Sequence, residues 1–99
     1  MAELRDIVEK VRSKNAGPFW LTVDLFCGSP EAYAAVSDRL QTVAVARALN
    51  VEPQLVKRFD IPQLHVVKFS LPRPQIQGAV EDRDLHGASW ASLIGEIEV

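Results

Sequence analysis

The sequence predicts an α+β two-layer sandwich, and three observations lead to this class. Residues 19–26 alternate apolar and mixed side chains with the period of two that is typical of a strand. Residues 29–49 change to a helical period with capping residues, and residues 64–71 return to the strand period. Strand patterns separated by a helical hairpin favour a mainly antiparallel sheet with two helices on one face.

The composition bounds the class of protein. A chain of 99 residues is expected to form one domain spanning residues 1–99. Its net charge of −2 gives no reason to expect a nucleic-acid partner. No apolar run reaches the roughly 18 residues of a membrane span, so we expect no membrane contact and a cytoplasmic location. The lone Cys27 excludes a disulfide framework, and no metal or cofactor motif is present.

The first segment, residues 4–12, fits two structures. Its apolar residues follow helical spacing at Leu4, Ile7, Val8 and Val11. Three of the four are β-branched, which suits a strand. Periodicity alone favours the helix.

Residues 19–26 form the clearest strand. One face would join the core through Phe19, Leu21, Val23 and Leu25. The other face would carry Trp20, Thr22, Asp24 and Phe26. Two aromatic rings and a carboxylate are unusual for a plain solvent face, so we expect an interface there.

The helical hairpin follows. Ser29 suits the N-cap of a first helix, and Pro30 its first helical position. Thr42 can cap a second helix that ends at Asn50 in a left-handed conformation. Residues 51–62, with two prolines, are expected to be a connection.

The second half returns to strands. Residues 64–71 would place His65, Val67, Phe69 and Leu71 on one face. Residues 72–87 are expected to form a long loop, and residues 89–99 a last strand. If residues 4–12 are a strand that pairs with residues 19–26, the four strands form a ferredoxin-like layout.

A first candidate site is the polar stretch RSKNAGP. Arg12 and Lys14 supply charge, Ser13 and Asn15 supply hydrogen bonds, and Gly17 allows close approach of the backbone. Such a loop could bind a carboxylate or phosphate. The alternative is a polar turn chosen for its backbone angles.

A second candidate site is EDRDLHG, residues 81–87. Asp82, Asp84 and His86 are candidates for proton transfer, and Arg83 for substrate binding. The alternative is an arginine held by flanking carboxylates that fix the loop. His65 and His86 match no metal-binding spacing, so no metal is predicted.

Charge is unevenly distributed along the chain. Residues 57–73 hold four basic residues and one acid, whereas residues 81–99 hold five acids and one base. Two solvated patches would explain this pattern. An electrostatically matched docking face is the alternative.

The stretches VRSKNAGPFWLTVDLF, YAAV, LPRP and DRDLHGA resemble a bacterial family of domains of unknown function. That family resembles the small ferredoxin-fold domain of AtuA-like proteins of the acyclic terpene utilisation group, where the matching loop looks more like RSGDKGD. The resemblance spans nearly the whole chain and implies a strand over residues 4–12, which we adopt. It also implies a large AtuA-like partner and the catabolism of branched or carboxylated acids and acyl-CoA compounds by a hydratase or lyase.

These observations predict a small accessory subunit of a two-component enzyme, not catalytic by itself. It would dock through the Trp20/Phe26 face or a sheet edge, and the RSKNAG loop would hold a small carboxylate or acyl-CoA ligand in a site shared with the larger chain. Two alternatives stay open. One is a free-standing homo-oligomeric module that binds a small anionic metabolite without catalysis, and the other is a purely structural subunit.

Overall fold

The computed structural model describes residues 2–17, 19–72, 91 and 93–99. The strands in these ranges are β1 (Lys10–Asn15), β2 (Trp20–Phe26), β3 (Lys57–Ile61) and β4 (Val66–Pro72). The helices are α1 (Leu4–Ile7), α2 (Pro30–Arg39) and α3 (Thr42–Leu49). Single 3-10 turns lead into β3 and β4, over Pro53–Leu55 and Pro62–Leu64.

The described strands lie side by side in the order β1-β2-β4-β3, and each neighbouring pair is antiparallel. The sheet therefore consists of two hairpins, with β2 and β4 at its centre and the α2–α3 pair connecting one hairpin to the other. This arrangement confirms the predicted α+β class and the pairing of the first hairpin. The two layers match the predicted sandwich, and from β1 onward the chain runs β-β-α-α-β-β, whereas the ferredoxin-like order is β-α-β-β-α-β.

The core lies between the helices and one face of the sheet. The central strands contribute fully buried side chains at Leu21, Val23, Leu25, Val67, Phe69 and Leu71. The helices cover them with Val36, Leu40, Val45, Ala46 and Leu49. Each large apolar side chain buried in this way contributes about 1.5–3 kcal/mol to folding. We call this side of the sheet the covered face.

The helix signals are largely confirmed. The Ser29 hydroxyl accepts a hydrogen bond from the Ala32 amide at 3.1 Å and caps α2. Asn50 ends α3 with φ at 57°, in the left-handed region. The capping role of Thr42 is wrong, because Thr42 is the first helical residue and Gln41 precedes it without a side-chain cap.

The continuous strand over residues 4–12 is wrong in its first half. Residues Leu4–Ile7 form one helical turn, and the Val8 amide donates to the Leu4 carbonyl at 2.9 Å. Leu4 and Val8 are both buried, as the helical spacing indicates. Strand pairing begins only at Lys10, opposite Phe26.

The connection over residues 51–62 contains a strand that the sequence did not predict. β3 pairs with β4 from Lys57 to Ile61. Its side chains show no apolar alternation, because Arg58 and Asp60 point to the covered face and Lys57 and Phe59 to the other. A short edge strand of this kind lacks the signal of a half-buried strand.

The strand over residues 64–71 is confirmed in position, with β4 at Val66–Pro72 and Val67, Phe69 and Leu71 on the covered face. His65 lies outside the strand, with φ at 54°, and ends the preceding 3-10 turn. Its predicted place on a strand face is therefore wrong.

The last strand, over residues 89–99, is wrong where the structure describes it. Ala91 and residues 93–95 are helical, and Ile94 is fully buried. An isolated bridge joins Glu98 to Glu3, and the Leu4 amide donates to the Ile97 carbonyl at 2.8 Å.

Within the described residues, no helix has the length and hydropathy to cross a membrane.

Candidate functional site

The side of the sheet opposite α2 and α3 collects unusual side chains. We call it the basic face. Its members are Lys10, Arg12 and Lys14 from β1, Trp20, Thr22, Asp24 and Phe26 from β2, Lys57, Phe59 and Ile61 from β3, and Val66, Lys68, Ser70 and Pro72 from β4. These strand residues carry a charge of +4 (five cations, one carboxylate) on a chain whose net charge is −2. The basic face is therefore a local positive patch.

Strand register orders the polar members into two neighbouring rows. The hydroxyl row is Lys14–Thr22–Ser70–Lys57. It places two hydroxyl groups on the central strands between two ammonium groups at the edges. Side chains directly opposite each other on antiparallel strands lie about 5 Å apart at Cβ. The Thr22 hydroxyl donates to the Lys14 carbonyl at 3.4 Å, so an anion above this row would meet the Ser70 hydroxyl as a donor together with the cations at the edges.

The second row is Arg12–Asp24–Lys68–Phe59, which we call the charged row. Asp24 lies between a guanidinium and an ammonium group, on the neighbouring strands. Its single negative charge partly offsets the positive patch but cannot neutralise it. The positive potential is therefore expected to be strongest at the hydroxyl row, which contains no carboxylate.

The cations of the basic face have no carboxylate partner among the described residues. The ion pairs in those ranges join Arg5 to Glu3 at 2.6 Å and Arg58 to Asp60 at 2.7 Å. Both pairs lie outside the basic face. Within the described ranges, therefore, no ion pair occupies its lysines or its arginine.

The Arg58 network on the covered face contrasts with this surface. The Arg58 guanidinium donates to both oxygens of Asp60, at 2.7 and 3.2 Å, and to the carbonyls of Ser37 and Leu40 at the end of α2. Its Cζ lies 5.7 Å from the centre of the Phe69 ring. The Ser37 hydroxyl donates to Asp60 at 2.6 Å. The Arg58 guanidinium thus occupies both carboxylate oxygens of Asp60 and two backbone carbonyls at the end of α2, so this network joins β3 to α2.

Hydrogen bonding sets the ionisation of this network. The bond from Arg58 holds the pKa of the Asp60 carboxyl below its ordinary value, against the opposing effect of partial burial. Asp60 stays ionised under ordinary conditions and is matched by Arg58. The network is structural, and sequence reasoning missed it because β3 itself was missed.

Comparison with known proteins places the chain in a family. A family model described as a domain of unknown function, DUF4387, matches residues 4–97. The chain belongs to the DUF4387 family. No curated protein and no solved structure shows a significant match to it.

The structure divides the predicted RSKNAGP site of this DUF4387 domain. The expected loop is wrong for its first four residues, because Arg12 to Asn15 lie within β1. Side chains alternate along a strand, so Arg12 and Lys14 share the basic face while Ser13 and Asn15 point to the other side. The four groups cannot converge on one ligand. Arg12 and Lys14 remain candidates for binding an anion.

Ser13 is buried on the covered face, opposite Val23, with only 8% of its surface exposed. Its hydroxyl has no hydrogen-bond partner among the described residues. A buried hydroxyl without a partner costs about 1–3 kcal/mol. The sheet separates it from the basic face, so it cannot contact an anion bound there.

Gly17 lies in the turn of the first hairpin. Its φ of +85° is the conformation that favours glycine, and among the described residues no atom beyond its chain neighbours lies within 4 Å of where a Cβ would stand. The Ala16 amide donates to the Trp20 carbonyl at 2.8 Å and closes the turn. The backbone requirement alone explains this glycine.

The second predicted site lies outside the described residues. Asp82, Arg83, Asp84 and His86 all fall there, so their roles stay predictions. The described His65 ring lies 6.3 Å from the Tyr33 ring. The described ranges contain no group of three His, Cys, Asp or Glu side chains able to hold a metal ion.

Cys27 is buried with 3% of its surface exposed, and its thiol contacts the Leu25 carbonyl at 3.7 Å. Burial raises the pKa of the thiol, and the negative charge of Asp60 raises it further. Since the thiolate is the reactive form, Cys27 is a poor nucleophile.

Sequence reasoning found part of the basic face. The face of β2 with Trp20 and Phe26 was predicted as an interface, and Trp20 is 43% exposed there. The surplus of basic residues over 57–73 was a signal for Lys57 and Lys68. The hydroxyl row was missed because its members come from all four strands, and only the strand register brings them together.

Proposed function

We propose that this DUF4387 domain is the small accessory subunit of a two-component, AtuA-like enzyme, and that its basic face completes an anion-binding site at the junction with the larger chain. The hydroxyl row, next to Arg12 and Lys68 of the charged row, carries this proposal. The hydroxyl row offers ammonium and hydroxyl groups and contains no carboxylate. The neighbouring charged row adds the guanidinium of Arg12 on the same surface.

The ligand class follows from these donors. A carboxylate would accept hydrogen bonds from Arg12 and Lys14, and such charge-assisted bonds are about twice as strong as neutral ones. A small carboxylic acid or the phosphates of an acyl-CoA would be recognised in this way. The notion of an acyl-CoA comes from the family resemblance, whereas the anionic character comes from the residues.

A shared site follows from the shape of the sheet. Ligand pockets bury about 70–90% of a small ligand, and a sheet face supplies only one wall. The larger chain would supply the other walls and the principal chemistry of a hydratase or lyase step. Asp82, Asp84 and His86 remain candidates for proton transfer in that complex. The proposal locates the pair in the cytoplasm, where the lone thiol of Cys27 would stay reduced.

The test begins with co-expression of the tagged domain with the AtuA-like chain and purification of the pair. Titration calorimetry with isovalerate and with isovaleryl-CoA then compares the native pair with the variant Arg12→Gln/Lys14→Gln. We expect the variant to bind at least about tenfold more weakly, since a hydrogen bond to a charged group contributes about 1.5–3 kcal/mol. Arg47→Gln, an exposed arginine on α3, is the matched control and should bind as the native pair does.

Failure of the two chains to co-purify, or unchanged affinity in Arg12→Gln/Lys14→Gln, would overturn the proposal. Equal affinity of the isolated domain and of the pair would instead favour the free-standing anion-binding module. A dimer of that module through two basic faces would oppose five cations to five cations. Such a dimer would need another surface.

A further inference from the structure

An open groove of ≈ 560 Å³ lies along the β3–β4 hairpin. It is lined by Phe59, Asp60, Ile61 and Lys68. Three of these residues belong to the basic face, at the edge of the sheet away from β1. The anion-binding function proposed above counts Lys68 among its cations and leaves Phe59, Asp60 and Ile61 of this groove unassigned.

The floor of the groove is apolar. Phe59 is 48% exposed, an unusual exposure for a phenylalanine in a strand. Ile61 follows two residues later on the same face and pairs with Val66. Leu64, in the 3-10 turn after β3, is 67% exposed.

The rim of the groove is positive. Lys68 stands opposite Phe59 on β4, and Lys57 precedes Phe59 on the same face of β3. The one carboxylate in the lining, Asp60, accepts hydrogen bonds from Arg58 and Ser37 on the covered side of the sheet. Its charge is matched there, so it does not offset the two lysines.

These features select the occupant. A second copy of this surface would bring lysine against lysine, which is unfavourable. A small ligand would stay largely exposed on so open a surface. We infer that the groove docks an acidic segment of a partner protein, with an apolar side chain against Phe59 and Ile61 and a carboxylate on Lys68. The inference rests on the proposed function only in naming the larger subunit as the expected source of that segment.

Site-specific photo-crosslinking in the native cell tests this inference. The crosslinking residue p-benzoylphenylalanine replaces Phe59 in one full-length variant and Leu55 in the other. Leu55 is 47% exposed in the 3-10 turn before β3, outside the groove, so it is matched to Phe59 in exposure. Mass spectrometry then identifies the crosslinked segment and its sequence.

We expect the variant at position 59 to capture one protein segment rich in Asp or Glu around an apolar residue, at least about tenfold more than the variant at position 55. Adding Lys68→Glu should lower that yield at least about fivefold, whereas adding Arg47→Glu should not. Raising the salt concentration in a lysate should also lower it, because exposed charge pairs are screened. Thermal melting of each variant checks that the fold is kept.

Four results would overturn the inference. They are equal capture at positions 55 and 59, capture of a segment without acidic residues, capture of nucleic acid or of a second copy of this chain, and an unchanged yield with Lys68→Glu. An acidic segment from a protein other than the AtuA-like chain would support the groove and contradict the proposed function. Co-purification of the AtuA-like chain without capture at position 59 would support the proposed function and contradict the docking groove.

Discussion

The two faces of the sheet use charge in opposite ways. On the covered face, Arg58 is held by a carboxylate, two helix carbonyls and an aromatic ring. On the basic face, five cations have no carboxylate partner among the described residues. A cation whose donors are used inside the fold stabilises that fold, whereas an unmatched cation at the surface is available for binding. The comparison therefore separates the residues that hold the domain together from those that recognise a partner or ligand.

The largest difference between the faces should come from two phenylalanines on paired strands. Phe69 is fully buried on the covered face, and Phe59 is 48% exposed on the basic face. We expect Phe69→Ala to lower the free energy of unfolding by about 3–5 kcal/mol, through lost burial and a cavity. Phe59→Ala should change it by less than about 0.5 kcal/mol, as for other surface sites. Chemical denaturation of both variants measures the difference, and similar losses would break the comparison.

The next effect separates the two kinds of cation. Arg58→Ala leaves Asp60 without its main partner and two helix carbonyls without a donor. Because these groups are only partly buried, we expect a loss of about 1–3 kcal/mol. Lys68→Ala, the matched change on the basic face, should cost less than about 0.5 kcal/mol. Equal losses in urea denaturation would contradict the assignment of Arg58 to stability.

The dependence of stability on pH further tests the assignment of the Arg58–Asp60 pair to the stability of the fold. The pKa of Asp60 is lowered in the folded protein, so its contribution is present above the unfolded pKa of about 3.9 and is lost as the pH falls through the folded value. The carboxyl of Asp60 thus makes the free energy of unfolding fall on acidification. Asp60→Asn lacks this contribution. We expect the two proteins to differ most above the unfolded pKa and to converge as the pH falls through the lower, folded value.

Urea denaturation at a series of pH values measures this convergence. Asp24→Asn, on the basic face, is the control for removal of a carboxylate from the same sheet. A gap between native protein and Asp60→Asn that stays constant with pH would show that Asp60 acts through something other than its charge.

The smallest effect concerns repulsion on the basic face. Lys14 and Lys57 stand at the two ends of the hydroxyl row, with Arg12 and Lys68 in the next row. Replacing Lys14 by Gln removes one charge from this patch, so we expect stability to stay equal or to rise by a few tenths of a kcal/mol at low salt. A clear loss in thermal melting would mean that Lys14 is already paired inside the fold.

The comparison also explains what the sequence could predict. Local signals are strong where one residue determines the backbone, as at Ser29 and Asn50, and both are confirmed. The alternation identified β2 because Leu21, Val23 and Leu25 on its core side are all apolar. The predicted place of Phe19 on that side is wrong, because Phe19 precedes the strand and is 68% exposed. β3 carries Arg58 and Asp60 on its core side, and their partners come from α2, about 20 residues earlier in the chain. The pattern of residues within β3 itself gives no indication of partners so far away in the sequence.

The candidate site was likewise predictable only in its local part. Arg12 and Lys14 were identified as anion ligands from their types, and their shared face follows from strand alternation. Their expected convergence with Ser13 and Asn15 failed, because four consecutive residues converge in a loop but divide between two faces in a strand. Thr22, Ser70 and Lys57 join them only through the register of three strand pairs.

The most direct test of this division of labour is one double variant, Lys14→Glu/Lys57→Glu, which reverses charges that stand opposite Thr22 and Ser70 and not opposite Asp24. Its melting temperature and its affinity for the purified AtuA-like chain would be measured side by side with those of the native domain. We expect a melting temperature close to the native value and affinity reduced at least about tenfold, since charges are reversed only on the recognition surface. A native affinity, or a melting temperature reduced as far as in Arg58→Ala, would contradict it.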